Sequence, residues 1–460
     1  MSLKIKALQR SARIALLTPY DGGNLGDSAI QEALIANLRR CDPDIDVWGI
    51  TLHPVRTSAR HQIPCFPLTG TSRSYYQGKQ ERVIKVDSDR PSLFADAYVG
   101  LYRCLHRMTR AVPFVKRLKI LFDEALHVSR SYRLLRKVDV LVIAGGGQLD
   151  DEWGGSWEHP YALMKWAVLA RVAGSSVVFL SVGACRVESQ LTRRFLKMAL
   201  SSARYRSYRD AESRLLALGV TPRAEGPVVP DLAFSLPITQ CKPGFRIEGA
   251  PLRVGVSPIA YCHPELWPTK NQIQYQQYIT ELAAFVSKVL QGGSSVCLFA
   301  SSSPDDQIFT DIYHLLDPRL DPSARNRLSS IAVNNVRELL ELLLSVDLVV
   351  ASRLHGLLLS FLSGKPALAI SYDRKVKCLM DELGQAAYCV DIRSFKSDDL
   401  LRLFATLRTN RDAIVPAVAA ICRRYDRVLQ RQYRVITQFL AGRPADPLPS
   451  HTQAFSETKS

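Results

Sequence analysis

The sequence has no apolar run long enough to cross a membrane, which takes about 18 to 20 residues. Its longest apolar stretch, from Leu339 to Ile370, is interrupted by Glu341, Asp347, Arg353, His355 and Lys365. Near the N-terminus the apolar run Ile14 to Leu17 is too short for the core of a secretory signal. The ten cysteines include no CxxC pair. They predict neither a disulfide framework nor a zinc site, and free thiols in a reducing cytoplasm. Other motifs are missing too. There is no HExxH, no GxSxG, no GxGxxG and no GK[ST] loop, and no cysteine has a local catalytic signature. A resident metal is therefore not expected. With 47% apolar and 22% charged residues over 460 positions, extended disorder is excluded for most of the chain. The length predicts two or three domains, each with its own core.

The charge is uneven. Net charge is +17, and two segments carry most of it. Leu101 to Lys137 holds ten basic and two acidic residues, and Arg402 to Arg434 holds eight and two. Such segments suit the solvated faces of helices, an anionic membrane surface, or nucleic acid. No zinc-finger spacing, aromatic RNA-binding motif or recognition helix accompanies them, so no nucleic acid is expected.

Along the chain, short apolar strands alternate with helices. Arg13 to Thr18 reads as a strand, followed by the loop PYDGGNLG and a helix starting near Asp27. Further strands are read at Ile45 to Ile50, Val138 to Ala144, Ser176 to Ser181, Arg253 to Ser257, Ser295 to Ala300, Val346 to Ala351 and Pro366 to Ser371. Residues from about 55 to 100 give no clear pattern. Pro113 predicts a break in the basic segment. A Pro- and Gly-containing stretch from Leu236 to Ala250 is the best boundary. The fold class is thus α/β: two Rossmann-like domains whose parallel sheets face a central cleft. The domains are placed at 12–240, with a basic helical insertion at about 101–137, and at 250–395. Basic helices at 396–440 and a flexible tail at 441–460 follow. Ligands in such sheets bind at the carboxyl ends of strands, where the chemically interesting residues collect.

Three loops stand out. Asn24 and Asp27 lie in GNLGD at a strand-to-helix junction, where exposed N–H groups favour an anion or a sugar hydroxyl, or where Asp27 simply caps the helix. Gly145, Gly146, Gly147 and Gln148 end a buried strand, and Asp150, Asp151, Trp153 and Trp157 follow. Carboxylates beside indoles suit carbohydrate, through hydroxyl hydrogen bonds and stacking. Arg353 and His355 interrupt an apolar strand–helix stretch at a helix N-terminus, setting a fixed cation and a titratable imidazole beside a positive dipole. The plain structural reading is an Arg paired to a carboxylate and a His at a cap. Arg209 sits at another strand-to-helix junction beside Asp210, and Ser257 and Ser301 end two further strands.

In order and spacing, GNLGD, the strand ending in GGG, SYRD, PDLAF and SRLHG followed by SYDRKVKCLMDELG resemble the polysaccharide pyruvyl transferase family, from about Ile14 to Leu383. The resemblance implies a fold like that of the B-type glycosyltransferases. It implies transfer of a pyruvyl group from phosphoenolpyruvate to sugar hydroxyls of a surface polysaccharide or lipid-linked precursor, as a cyclic ketal. The family's RxH pair falls on Arg353 and His355, its RD on Arg209 and Asp210, its GD on Gly26 and Asp27, and its tyrosine–lysine stretch on Tyr372 and Lys375.

Phosphoenolpyruvate carries a carboxylate and a phosphate, which Arg353, Arg209 and Lys375 would hold. His355, Arg353 and Asp27 are the expected catalytic residues, with His355 the acid and Asp27 the base, or the reverse. Arg209, Lys375, Asn24, Gly146, Gly147, Gln148, Asp150, Ser257 and Ser301 are the expected binding residues. Phosphoenolpyruvate is expected as co-substrate with no cofactor. The protein is expected in the cytoplasm, with its basic segments against the inner face of the membrane. Two other readings stay open: a B-type glycosyltransferase using a nucleotide sugar, and a non-catalytic carbohydrate-binding relative.

Overall fold

The computed structural model describes residues 11–18, 23–70, 113–151, 154–238, 251–316, 318 and 320–441. Within them the continuous aliphatic runs become strands buried on both faces. The clearest are VLVIA at Val140–Ala144, LVVA at Leu348–Ala351 and ALAIS at Ala367–Ser371. Contacts divide the chain into two units: one with residues up to Asp21, Asp42–Val228 and those from Val435 on, the other with Gly22–Cys41 and Val229–Arg434.

In the first unit the strands are β1 (Arg13–Leu17), β2 (Asp46–Thr51), β3 (Cys65–Pro67), β4 (Val140–Ala144), β5 (Gly147–Leu149), β6 (Ser176–Ala184) and β7 (Tyr205–Tyr208). They form a sheet in the order β3-β2-β1-β4-β6-β5, with β7 also paired to β6. The pairs are parallel, as between Ile14 and Val140 or Val140 and Ser176. The stretch that gave no clear pattern supplies a helix, Pro54–His61, and the edge strand β3, while residues 71–112 lie outside the described residues. Pro113 begins a helix, Pro113–Leu135, that packs on a second, His159–Ala173. Proline suits a first turn, where its missing N–H has no intrahelical partner to lose.

In the second unit β8 (Arg253–Ser257), β9 (Ser295–Phe299), β10 (Leu328–Ile331), β11 (Leu348–Ala351), β12 (Ala367–Ser371) and β13 (Cys389–Asp391) make a parallel sheet in the order β10-β9-β8-β11-β12-β13. Central β8 and β11 align Val256 with Val350 and Ser257 with Ala351. The expected basic C-terminal helices are one helix, Ser397–Leu440, which carries Pro416 within it. No helix among the described residues is long and apolar enough to cross a membrane.

One division differs from the sequence-based one. Helix α1 (Leu25–Cys41) follows β1 in sequence, yet its contacts belong to the second unit. It is buried along most of its length and packs on the 3-10 turn Leu232–Ser235 and the helices Val336–Ser345 and Leu354–Leu362. Its buried Asn37 donates to Ala33 O (2.7 Å) and Ser235 O (2.9 Å) and accepts from Gln430 Nε2 (2.9 Å). Each end of that amide is satisfied, as burial demands. The predicted boundary near 240–250 falls on residues outside those described, and the contacts instead change unit at Val229. The predicted tail from 442 also lies outside them.

Three histidines are held neutral by burial. His61, His127 and His159 are each lowered from 6.5 to about 4, with Arg60 and Lys165 adding repulsion at the first two. Below pH 6.5 the unfolded chain takes up protons that the folded chain refuses, so stability falls as pH drops toward 4. At full expression each site is worth on the order of 3 kcal/mol. The melting temperature should hold between pH 8 and 7 and fall continuously from pH 6.5 to 4.5; scanning fluorimetry showing a flat profile to pH 4.5 would contradict this.

Candidate active site

Ser257, Ser301, Arg353 and His355 lie at or past the carboxyl ends of strands of the second unit, around the start of the helix that follows β11. After β11 the chain enters the helix Leu354–Leu362, nearly every residue of which is buried. A helix apolar on all sides belongs in a core, so its first turn is fixed by packing. Arg353 takes an extended N-cap conformation (φ −80°, ψ 138°), and His355 lies in the first turn.

The two side chains turn to different partners. Arg353 forks onto Asp305, Nε donating to Oδ2 at 2.5 Å and Nη2 to Oδ1 at 2.9 Å. The Asp305 side chain has 0% exposure and accepts a third hydrogen bond from Ala260 N at 3.1 Å. The pairing of Arg353 with a carboxylate, which was the plain structural reading of the sequence, is thus present, and the partner is buried in the loop after β9. His355 packs against Gly26 of α1. A Cβ at position 26 would stand 2.1 Å from His355 Nδ1 and 2.4 Å from Cγ. Gly26 is helical, so its lack of a side chain serves close approach rather than a turn. The other nitrogen, Nε2, lies 3.7 Å from Oδ2 of Asp231, a carboxylate with 3% exposure whose Oδ1 accepts from Ala233 N. That distance is too long for a hydrogen bond and close enough for strong attraction to an imidazolium. Neither Asp231, which lies in PDLAF, nor Asp305 was among the expected site residues, because nothing in a single chain says which loop carboxylate meets which cation.

The α1 loop is anchored to the loop after β9. Leu25 N donates to Ser301 O (2.9 Å) and Ser303 N to Gly23 O (3.0 Å). Asn24 accepts from Gly26 N (2.9 Å) through Oδ1 and donates to Asp27 Oδ2 (3.0 Å) through Nδ2. Its amide thus shapes the turn that carries Asp27. Ser257 and Ser301 both place Oγ 3.8 Å from where a Cβ of Gly356 would be. Ser257 Oγ and His355 Nε2 are buried and make no hydrogen bond to the described residues. Such groups cost about 1 to 3 kcal/mol each and mark the place where a polar ligand would satisfy the protein. Lys375 lies 2.9 Å from Asp373 Oδ2 and 5.7 Å from the Tyr372 ring centroid.

The remaining expected residues are in the first unit. Gly145 and Gly146 adopt positive φ (47° and 63°), which explains two of the three glycines by backbone conformation. Arg209 lies over Gly183, where a Cβ would meet its Nη2 at 2.8 Å, and Nε is 3.4 Å from Asp210. Asp150 is buried, with Oδ2 3.2 Å from a Cβ built on Gly147. Gln148 corrects the sequence reading. It is 1% exposed, Nε2 donates to Ala144 O (3.2 Å) and Oε1 accepts from His159 Nε2 (3.0 Å). With both ends of its amide engaged internally, it is a structural residue rather than a substrate contact.

A family model described as polysaccharide pyruvyl transferase matches residues 24–374. No curated protein matches the chain in sequence. Among solved structures, a UDP-N-acetylglucosamine 2-epimerase is 12% identical, with TM-score 0.55 over 96% of this chain and 100% of its own. An MnaA–UDP complex from S. aureus is 8% identical, with TM-score 0.54 over 95% and 99%. The UDP-GlcNAc 2-epimerase of Methanocaldococcus jannaschii is 9% identical, with TM-score 0.50 over 86% and 92%. These likenesses agree with the glycosyltransferase-B-like fold expected from the sequence.

Truncating Arg353 to Ala should cost about 3 to 5 kcal/mol by stranding the Asp305 carboxylate, with Arg353→Lys intermediate because it loses the fork. Gly26→Ala should cost about 1 to 3 kcal/mol through overpacking. Urea unfolding midpoints unchanged by Arg353→Ala would refute the pairing.

Proposed function

We propose that this chain, which belongs to the polysaccharide pyruvyl transferase family, moves the pyruvyl group of phosphoenolpyruvate onto two sugar hydroxyls as a cyclic ketal. The observation that carries the proposal is the buried pair of unsatisfied polar atoms, Ser257 Oγ and His355 Nε2, at or past the carboxyl ends of the central strands β8 and β11, with Asp231 Oδ2 3.7 Å from the ring nitrogen. A site that keeps a proton-carrying ring rigid and charge-compensated suits protonation of an enol carbon.

In this reading His355 protonates C3 of phosphoenolpyruvate and C2 becomes electrophilic. A sugar hydroxyl attacks C2 and gives its proton to Asp27. The C2–O bond to phosphate then breaks, and inorganic phosphate leaves. A second hydroxyl bonds to C2 and loses its proton to the departing phosphate, which leaves a methyl-bearing ketal carbon with its carboxylate intact. Asp231, 3.7 Å from Nε2, faces the ring from the other side. In the second unit Lys375 is a proposed anion contact, with the N–H groups at the start of the helix Leu354–Leu362; in the first unit Arg209 is the proposed anion contact. Arg353, already forked to Asp305, is proposed to orient this helix start. Contacts to the saccharide acceptor, free or lipid-linked, are proposed at Asn24, Ser257 and Ser301 of the second unit and, separately, at Gly146, Gly147 and Asp150 of the first.

Calorimetry should detect phosphoenolpyruvate binding to wild type and, within about threefold, to His355→Ala, while phosphate release with an acceptor pool falls at least a hundredfold in the variant. Full turnover by His355→Ala would remove its role. Binding of UDP-N-acetylglucosamine without phosphoenolpyruvate would favour a nucleotide-sugar enzyme instead. The two basic segments are further proposed to rest on anionic lipid. The protein should pellet with phosphatidylglycerol vesicles at low salt and not with phosphatidylcholine vesicles, and equal pelleting with both would return those segments to solvated helix faces.

A further inference from the structure

We propose that Trp157 forms the floor of a saccharide-binding subsite on the first unit, taking a sugar ring of the acceptor; this rests on the saccharide-acceptor part of the reading above. Trp157 is 66% exposed, the most exposed aromatic side chain among the described residues. It is nonetheless held firmly. Its ring is edge-on to Phe195 at 5.4 Å between centroids and tilted against Tyr161 at 5.5 Å, and those two rings meet each other at 5.7 Å. The chain arrives there through Gly154 and Gly155, both at positive φ (85° and 75°), and leaves directly into the helix His159–Ala173. A turn that only glycine adopts easily thus sets the indole at the surface, and three mutual ring contacts fix it. Leaving a large side chain in water forfeits the free energy of burying it. A preset aromatic face, however, binds without paying to order itself.

Polar groups on Tyr161, the ring tilted against Trp157, are proposed to supply the second half of a carbohydrate site. Glu124 Oε1 accepts from Tyr161 OH at 3.1 Å and from Lys165 Nζ at 2.7 Å. Lys165 also lies 5.3 Å from the Tyr161 ring centroid. Burial tends to raise Glu124, but the hydrogen bond and charge of Lys165 and the Tyr161 hydroxyl outweigh it, so the carboxyl sits below its ordinary range and stays anionic at neutral pH. Its side chain keeps 25% exposure. An aromatic face takes the C–H side of a pyranose, and a fixed carboxylate accepts from its hydroxyls. A lone exposed aromatic would mean nothing by itself; an indole braced by two rings, one of which is wired to an accessible anion, is a different object.

The test uses the full chain on an array of hexose- and N-acetylhexosamine-containing oligosaccharides, with retained glycans titrated by calorimetry. Wild type should retain a defined set. Trp157→Ala should weaken those glycans at least tenfold, and Trp157→Phe, which keeps an aromatic face, should recover part of the loss. Because the indole is mostly in water already, both variants should unfold within a few degrees of wild type. Unchanged affinity in Trp157→Ala, or no glycan retained by wild type, overturns the proposal. Phosphoenolpyruvate titrated into the same preparations reports separately on the donor: its failure with glycan binding intact sinks the pyruvyl donor and leaves this subsite standing, and the converse result leaves the donor reading untouched.

Discussion

The ring of His355 occupies the place where any residue but glycine at position 26 would put its β-carbon. That single steric fact orders the site of the second unit. It fixes the distance between the first turn of α1 and the first turn of the helix after β11. It also leaves the imidazole little freedom, with one edge against a backbone and Nε2 toward a buried carboxylate. Small residues elsewhere ease a turn; here the missing side chain is filled by the functional group itself. The backbone hydrogen bonds between Gly23–Leu25 and Ser301–Ser303 hold α1 at the required height. The packing of α1 on the 3-10 turn Leu232–Ser235 keeps the preceding residue, Asp231, within reach of the ring.

Much of the fold was legible because parallel sheets buried on both faces write themselves as aliphatic runs. Arg253–Ser257 was read with its exact limits, and β4, β9, β11 and β12 within two residues. What was not legible was where a helix spends its contacts. α1 lies between β1 and β2 in sequence, and its apolar residues fit either sheet equally well as a pattern. Only the amide of Asn37, with partners around Ser235 and Gln430, and the loop pairing at Ser301 decide the matter. Those are long-range polar contacts with no local signature. The short edge strands β3 and β13 were missed for a related reason: three residues are too few to show a period.

The same contrast runs through the site. Arg353 and His355 could be picked out because charge interrupts an apolar stretch there. Their carboxylate partners could not. Asp305 lies 48 positions from Arg353, in a loop of serines and aspartates where acidic residues are ordinary. Gln148 was misjudged from the other side. It stands next to three glycines in a place that suggests a ligand, yet His159, buried and neutral, needs an acceptor, and Gln148 supplies it. Position at a strand end is therefore weaker information than the hydrogen-bond balance of the residues around it.

The charge balance limits what the site can do. Arg353 and His355, at the start of the helix Leu354–Leu362, both face buried carboxylates, one in a fork and one across 3.7 Å. A site meant chiefly to capture an anion would leave its guanidinium unmatched, because every matched charge weakens the field at the ligand. Matching has a different use. A carboxylate beside an imidazole makes it easier to keep a proton on the ring, and a carboxylate beside a guanidinium fixes its plane. In the reading proposed above, the attraction for a doubly anionic donor would then come from elsewhere: from the helix dipole, from backbone N–H groups, and from a residue such as Lys375, whose carboxylate neighbour is half-exposed rather than buried. On the proposed reading, Arg353 would orient and His355 would supply the proton, with binding energy distributed around them; removing His355 would then act on turnover, and removing the peripheral cations on affinity.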